Sequence, residues 1–449
     1  MRPLPQRVLP LAGIALVFAA TNPARAHGPR PTAQVVLFDD ADPSFVYVAS
    51  TVYGHFVSHD GGTTFGWICN DLFAEGSVDS FPIDGAVLAG GASRAVIVAG
   101  SDGLFRSDDD GCSWDRVEAL ADRRTSAIAI DPRDPARVWV TTADGGEDAD
   151  NALYQSRDGG VSFAPTSLAG PRLFRSVMPD QNGELWATSF FPEDDRSYLH
   201  RSVDDGETWT AEALPDLGAR VYRIVGAIDD VPGRVLLRAG TATDDVLVLA
   251  HERGGIAEVV LEPGAPLYET RIAGDGAIVI GDGAGNTWHS TNGGVDWDLR
   301  AEAPAQQCYA ERADTLYACT RQVEERAAVL ASIDDGASWD PFFRYEATTG
   351  PLSCLGAEEE MVCTGGDRFL TQCFEFDEFG VAIEEIAACP ELPVFGDDDS
   401  SSGAGESDTS GDAPAADDAP GCACTHHPRD GARWWLLAAL VAVPRRRGR

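Results

Sequence analysis

From about residue 33 to residue 395 the apolar positions fall in short β-rich runs, four to a unit, separated by turn-forming residues. The third unit shows the plan, with runs at 126–131, 137–142 and 152–156 and a fourth opening at 163–167. Val, Ile, Tyr and Trp dominate these runs, as half-buried strands require. Pro-stiffened turns, at 131–135 in this unit and 39–43 in the first, join the first run to the second. No helix of normal length is predicted here. Units start near Ala33, Phe81, Thr125, Arg172, Ala219, Pro266, Ala305 and Pro351. That spacing predicts eight sheets, with seven as the alternative if one unit is misassigned.

An eight-residue phrase ends the third run of most units. It reads Ser58-His59-Asp60-Gly61-Gly62-Thr63-Thr64-Phe65 and returns with Ser107, Asp109, Gly111 and Trp114, then Ser156, Asp158, Gly160 and Phe163. Further copies carry Ser202, Asp204, Gly206 and Trp209, Ser290, Asn292, Gly294 and Trp297, and Ser332, Asp334, Gly336 and Trp339. The fifth copy has Asn292 for the acid and Asp296 for the hydroxyl. The Ser-to-Ser steps are 49, 49, 46, 88 and 42 residues, so the long step should hide a degenerate copy, and His251–Gly255 is placed for it. A short acid can accept hydrogen bonds from the backbone that follows it, and Gly supplies a left-handed position without steric cost. The phrase therefore predicts a hairpin turn whose terminal aromatic is buried between neighbouring units.

These copies resemble the Asp-box, or BNR, repeat of sialidase-like, sortilin-like and xyloglucanase-like β-propellers. The resemblance implies an all-β propeller of four-stranded blades over residues 27–395. It places the phrase on the rim between third and fourth strands, far from the functional centre, and leaves function open.

The formal charge is −38, which disfavours nucleic acid and anionic membranes as partners. No Lys occurs, so a P-loop Lys, a Schiff-base Lys and a Ser-Lys dyad are excluded. Ten Cys are present, and their placement suggests oxidation. The expected pairs are Cys69–Cys112, Cys308–Cys319, Cys354–Cys363 and Cys373–Cys389, although spacing alone does not fix connectivity.

Residues 1–26 read as a secretory signal, with Arg2 and Arg7, an apolar stretch at 8–20 and the small-residue site Ala24-Arg25-Ala26. Residues 396–420 hold eight acids and no aromatic or branched aliphatic residue, and are expected to be a disordered linker. Residues 421–449 combine Cys422 and Cys424, an apolar run at 434–443 and an Arg cluster at 445–447. That order resembles a myxobacterial-type C-terminal sorting signal. It implies processing and lipid-type anchoring at Cys422, although ten apolar residues are few for a span.

Sialidases of this repeat family need three Arg for the substrate carboxylate and an early Arg-Ile-Pro motif. The first repeat contains no Arg, and the nearest echo, Tyr222-Arg223-Ile224-Val225, lacks the Pro. Arg223 reads instead as a strand residue capped by an acid. No catalytic constellation is proposed. The most suggestive feature is a set of acidic loops between second and third runs of three successive units: Glu147, Asp148 and Asp150; Glu193, Asp194 and Asp195; Asp244 and Asp245. Gathered on one face, these could bind Ca²⁺ or a cationic partner, or simply form a solvated acidic surface. The sequence thus predicts an exported, surface-anchored, monomeric module that binds extracellular protein or glycan without a cofactor. A glycan-directed hydrolase is the alternative.

Overall fold

The computed structural model describes residues 32–50, 53–70, 82–88, 94–146, 149–217, 221–228, 234–240, 245–251, 258–272, 277–282, 284–300, 304 and 306–354, together with 372, 373, 381, 386 and 389. The sheets are seven antiparallel meanders of four strands, each with strands in chain order. Their first strands are Ala33–Phe38, Pro82–Leu88, Thr125–Asp131, Leu173–Pro179, Val221–Ala227, Leu267–Ile272 and Gln306–Arg312. Each of these packs against the first strand of the next sheet, and the last packs against the first, so the ring closes. The protein is a seven-bladed β-propeller, and the first strands line its central channel.

Seven of the eight expected unit starts fall within two residues of an observed first strand. The eighth does not begin a blade. The strand Thr348–Pro351 instead adds in parallel to Phe65–Ile68, the outer strand of blade 1. It covers an exposed sheet edge, which would otherwise invite pairing with other chains. The remainder of that unit is mostly outside the described residues. So are the expected signal peptide, linker and sorting segment.

The core lies between blades. Ile97, Leu104, Val138, Val140 and Phe163 form one cluster across blades 2 and 3. Trp139, Leu153, Phe174 and Leu185 form another across blades 3 and 4. Blades 7 and 1 meet through Phe56, Phe65, Phe343 and Tyr345, with Phe65 and Phe343 ring centroids 4.5 Å apart. Burial of a ring of this size stabilises by roughly 2–3 kcal/mol.

The repeated phrase forms the turn from third to fourth strand. In the second copy Ser107 Oγ donates to Asp109 Oδ1 at 2.9 Å, Gly111 N–H donates to Ser107 Oγ at 2.8 Å, and Ser113 N–H and Oγ donate to the Asp109 carboxylate at 2.8 and 2.6 Å. The Gly is left-handed in every copy, with φ from 80° at Gly160 and Gly336 to 95° at Gly62. A second requirement acts on several of them, because the preceding blade occupies the space a side chain would need. A Cβ on Gly206 would lie 3.3 Å from Trp139, one on Gly111 2.8 Å from Ile68, and one on Gly62 2.6 Å from Phe342. The turn is thus a blade-to-blade contact as well as a hairpin. Its terminal aromatics are buried at Phe65 and Phe163 and half-buried at the four Trp positions. The degenerate copy sits between Asp245–His251 and Glu258–Leu261, with 252–257 outside the described residues.

In the fifth copy Asn292 Oδ1 accepts from Ser290 Oγ and Asp296 N–H, and Asn292 Nδ2 donates to Asp296 Oδ2 at 2.8 Å. Donor and acceptor have exchanged places across the same bond. Asn292→Asp should therefore set two carboxylates face to face and cost about 1 kcal/mol in urea unfolding. Adding Asp296→Ser should restore stability; no recovery in the double variant would refute the exchange.

Two expected disulfides are present, Cys308–Cys319 and Cys373–Cys389. The other two pairings are corrected: Cys112 bonds Cys354, with Cα atoms 5.6 Å apart, so neither Cys69–Cys112 nor Cys354–Cys363 forms. Cys69 is bonded elsewhere. The cause is the added parallel strand. Leu352 N–H donates to Trp67 O at 2.8 Å, which carries the chain across blade 1 to the turn of blade 2 where Cys112 sits. This bond spans 242 residues. Chain entropy alone would assign such a loop about 5 kcal/mol, and most measured disulfides contribute 2–4. The double variant Cys112→Ser, Cys354→Ser should lose roughly 2–4 kcal/mol in denaturant titration, and an unchanged midpoint would show that the strap needs no covalent tie.

Candidate functional site at the channel mouth

In an up-and-down meander the 1–2 and 3–4 turns share one face, and the 2–3 loops share the other with the starts of the first strands. The repeated turns therefore occupy one face and the acidic loops the opposite one. Every first strand shifts register against its second strand, as at Ala33/Val35, Pro82/Asp84, Phe174/Ser176 and Gln306/Cys308. Extra residues of this kind re-aim side chains, commonly at barrel rims and binding sites.

The channel holds a cavity of about 380 Å³ lined by residues of six blades, among them Gln34, Asp84, Ser126, Ser176, Arg223, Arg238 and Tyr309. Ser126 Oγ donates to Phe174 O at 2.9 Å, and Ser176 Oγ accepts from Ile224 N–H at 2.9 Å, so hydroxyls knit blades 3, 4 and 5 along the wall. Asp84 accepts from Gly85 and Ile128 N–H, both at 2.8 Å.

Arg223 and Arg238 of blade 5 line the cavity, and Arg175 of blade 4 lies beside Arg223. Arg175 is the extra residue of the Phe174/Ser176 shift and is half-buried. Its Nε is buried without a hydrogen-bond partner. Arg223 lines the cavity and donates from Nη1 to Arg175 O at 3.2 Å, while Arg238 Nη1 donates to Leu267 O at 2.7 Å. Burial, then the like charges of Arg223 and Arg124, pull the Arg175 guanidinium down to about 10. An uncompensated buried charge is costly, about 3–5 kcal/mol when a partner is removed from a buried pair.

The acidic loops fall only partly together. Glu147, Asp148 and Asp244 lie outside the described residues. Asp150, Glu193, Asp194 and Asp195 are exposed. A cavity of about 520 Å³ separates the loops of blades 3 and 4, with Asp144 and Glu193 on its wall. Asp144 is held by Arg123 Nε at 2.5 Å and Arg124 N–H at 2.6 Å, and Asp194 accepts from Tyr198 OH at 2.5 Å. Asp245 Oδ2 accepts from Leu267 N–H at 2.8 Å, bracing the start of the next blade. Among the described residues no group of three or more His, Cys, Asp or Glu is placed to hold a metal.

Sequence reasoning missed Arg175 and set Arg223 aside. A signal was present: Arg172-Leu173-Phe174-Arg175 and Arg220-Val221-Tyr222-Arg223 repeat one spacing at the start of successive first strands. Arg172 stacks over Phe191 and Tyr198, 5.2 and 5.5 Å from their centroids, and Arg220 is outside the described residues.

No protein-family model matches the chain, and no curated protein matches it. Solved structures similar to it include hydrazine synthase of Kuenenia stuttgartiensis, at 14% identity over 69% of this chain and 97% of that one, TM-score 0.50. A puromycin-hydrolysing peptidase of Mycobacterium tuberculosis is similar at 13% identity over 70% of this chain and 54% of that one, TM-score 0.50. YCF48 of Cyanidioschyzon merolae is similar at 13% identity over 64% and 92%, TM-score 0.44. At these identities the likeness shows the propeller fold alone. The disulfides point to an oxidising, exported setting. Among the described residues no helix is long and apolar enough to cross a membrane.

Two buried histidines set the acid response. His200 Nε2 is 2.8 Å from Ser189 Oγ, and His55 Nδ1 is 2.5 Å from Tyr47 OH. Burial pulls both imidazoles down to about 3. The unfolded chain takes up these protons near pH 6.5, so the stabilisation is full above 6.5 and is lost as pH falls toward 3. In the turns, burial pushes Asp158 up, but bonds from Ser162, Ser156 and Val161 more than reverse this and hold it at about 2. That contribution is present above about pH 4 and lost as pH falls through 2. Unfolding free energy should drop by about 1 kcal/mol per pH unit per histidine between pH 6 and 4. His200→Gln should reduce that slope, and a slope equal to the wild type would remove His200 as a source.

Proposed function

We propose that the chain is an exported, non-catalytic binding module of the Asp-box propeller type, presented at the cell surface, that takes an extracellular protein or glycan at the channel mouth opposite the repeated turns. In this reading residues 1–26 direct export, and the C-terminal segment is processed and anchored at Cys422. The observation that carries the reading is the channel cavity of about 380 Å³, whose wall brings Arg223 and Arg238 together with Ser126, Ser176 and Tyr309 from several blades. A concave site with a few convergent polar groups is the ordinary form of a binding site. Glycoside hydrolysis needs two carboxylates flanking the scissile bond. Among the described residues that line the channel only Asp84 carries one, and two backbone amides hold it. That favours binding over hydrolysis.

The purified secreted protein should bind selected members of an immobilised peptide and glycan panel. Arg223→Gln should weaken that binding at least tenfold, whereas Arg157→Gln, on the turn face, should leave it unchanged. Equal binding by both variants would move the site away from the mouth. Turnover of fluorogenic glycosides, abolished by one acid substitution, would replace the reading with the hydrolase.

A further inference from the structure

We propose that the Cys308–Cys319 disulfide is a thiol-exchange site on the channel wall, attacked from the cavity at Cys308 by a low-mass thiol or dithiol. Such a site goes beyond the binding role of the mouth and does not depend on which ligand the mouth takes.

Cys308 and Cys319 are direct partners on the first and second strands of blade 7, with Cα atoms 4.8 Å apart. The same two strands stay paired from Tyr309 and Ala318 to Arg312 and Thr315, and the chain turns between them through Ala313 and Asp314, both left-handed. A two-residue turn of that kind matches the twist of the strands it joins. The disulfide thus closes a loop that the hairpin has already closed, at a separation of 11 residues against 242 for Cys112–Cys354. Ties across short, ordered loops add least to holding a chain together. The placement of the two sulfurs is unequal. Cys308 lines the channel cavity of about 380 Å³ and is 6% exposed, whereas Cys319 does not line it and is 0% exposed.

Exchange begins when a thiolate attacks one sulfur of a disulfide, so access decides which sulfur is hit. Here the cavity leads to Cys308. Arg223 and Arg238 line the same cavity, and nearby cations favour the thiolate form of an incoming thiol. The incoming sulfur bonds to Cys308 Sγ, the Cys308–Cys319 bond breaks, and its electron pair leaves on Cys319 Sγ, which takes a proton from water. A monothiol is left as a mixed disulfide on Cys308. Cys319 can attack back and expel it, so capture is reversible. With a dithiol, the second thiolate displaces Cys308 instead. The protein then holds two thiols, and the dithiol, oxidised by two electrons, departs as a cyclic disulfide. Opening frees the first strand of blade 7 from its neighbour at Cys308, next to Tyr309 on the cavity wall.

The test is titration of the purified, folded protein with dithiothreitol, followed by alkylation and peptide mass spectrometry. Cys308 and Cys319 should become alkylated at about tenfold less reductant than Cys373 and Cys389, whose Cys373 is 0% exposed. Direction is read from two single variants treated with cystine. Cys319→Ser leaves Cys308 on the wall and should gain the mass of one half-cystine at Cys308. Cys308→Ser leaves Cys319 behind it and should keep a free thiol under the same conditions. Opening of Cys308–Cys319 no earlier than Cys373–Cys389 in the wild type would overturn the site, and that result needs no variant to fold. Equal modification of Cys319 and Cys308 in the two variants would overturn attack from the channel.

Discussion

The ring depends on one contact made several times, the seating of a turn glycine against the blade before it. The turn's acid anchors the serine hydroxyl, the serine oxygen anchors the glycine N–H, and the glycine in its left-handed conformation lets the neighbouring sheet approach. Gly206 meets Trp139, Gly111 meets Ile68, Gly62 meets Phe342, and Gly294 meets Leu236. A closed ring magnifies small errors, since a blade set a fraction of an ångström too far out displaces all the others. That is why a polar turn on the rim is tied so tightly to the packing of large side chains behind it. The exchange of Asn292 and Asp296 supports this ordering. The bond between the two positions is kept while the residue that supplies the proton changes sides.

Charge reinforces the same seams. Arg94 of blade 2 grips Asp39 and Asp42 of blade 1, and its guanidinium lies 4.0 Å from the Phe45 ring centroid. Arg137 of blade 3 reaches Asp205 in the turn of blade 4, and Arg300 of blade 6 donates to Asp335 O in the turn of blade 7. Exposed pairs stabilise little, commonly below about 1 kcal/mol. Arg94 is the stronger case, because its side chain is 11% exposed and bonded to three carboxylates. A chain without lysine makes such forks the only long cationic bridges it has.

Much of this was legible in the residues. Period, strand content, turn chemistry and seven of the blade starts follow from local rules that act within about ten residues. The pairing of Cys112 with Cys354 was not legible, because it depends on where a strand added in parallel leaves the chain after it has crossed a whole blade. The preferred count of eight gave way to the alternative of seven for the same reason: the stretch near Pro351 reads as the start of a unit, and the strand that ends there pairs with Phe65–Ile68, far away in the chain. The candidate site was the least legible part. Acidic loops stand out in a sequence, yet Asp144 and Asp245 are engaged in holding neighbouring backbone. The arginines repeat at one spacing but look like ordinary strand residues, and only the folded ring puts Arg223 on the cavity wall.

The bulges also explain how a costly charge can persist. A buried Nε without a partner would open a single hairpin, since the strand could rotate and release it to water. In the ring, the first strand of blade 4 is held by Ser126 on one side and by Ile224 on the other. Escape would require moving three blades. Closure, secured on one face by the glycine contacts, therefore fixes side chains on the opposite face in positions their own strands would not choose. Chemistry at the mouth can change residue by residue without disturbing the turns, because the two ends of each strand answer to different constraints.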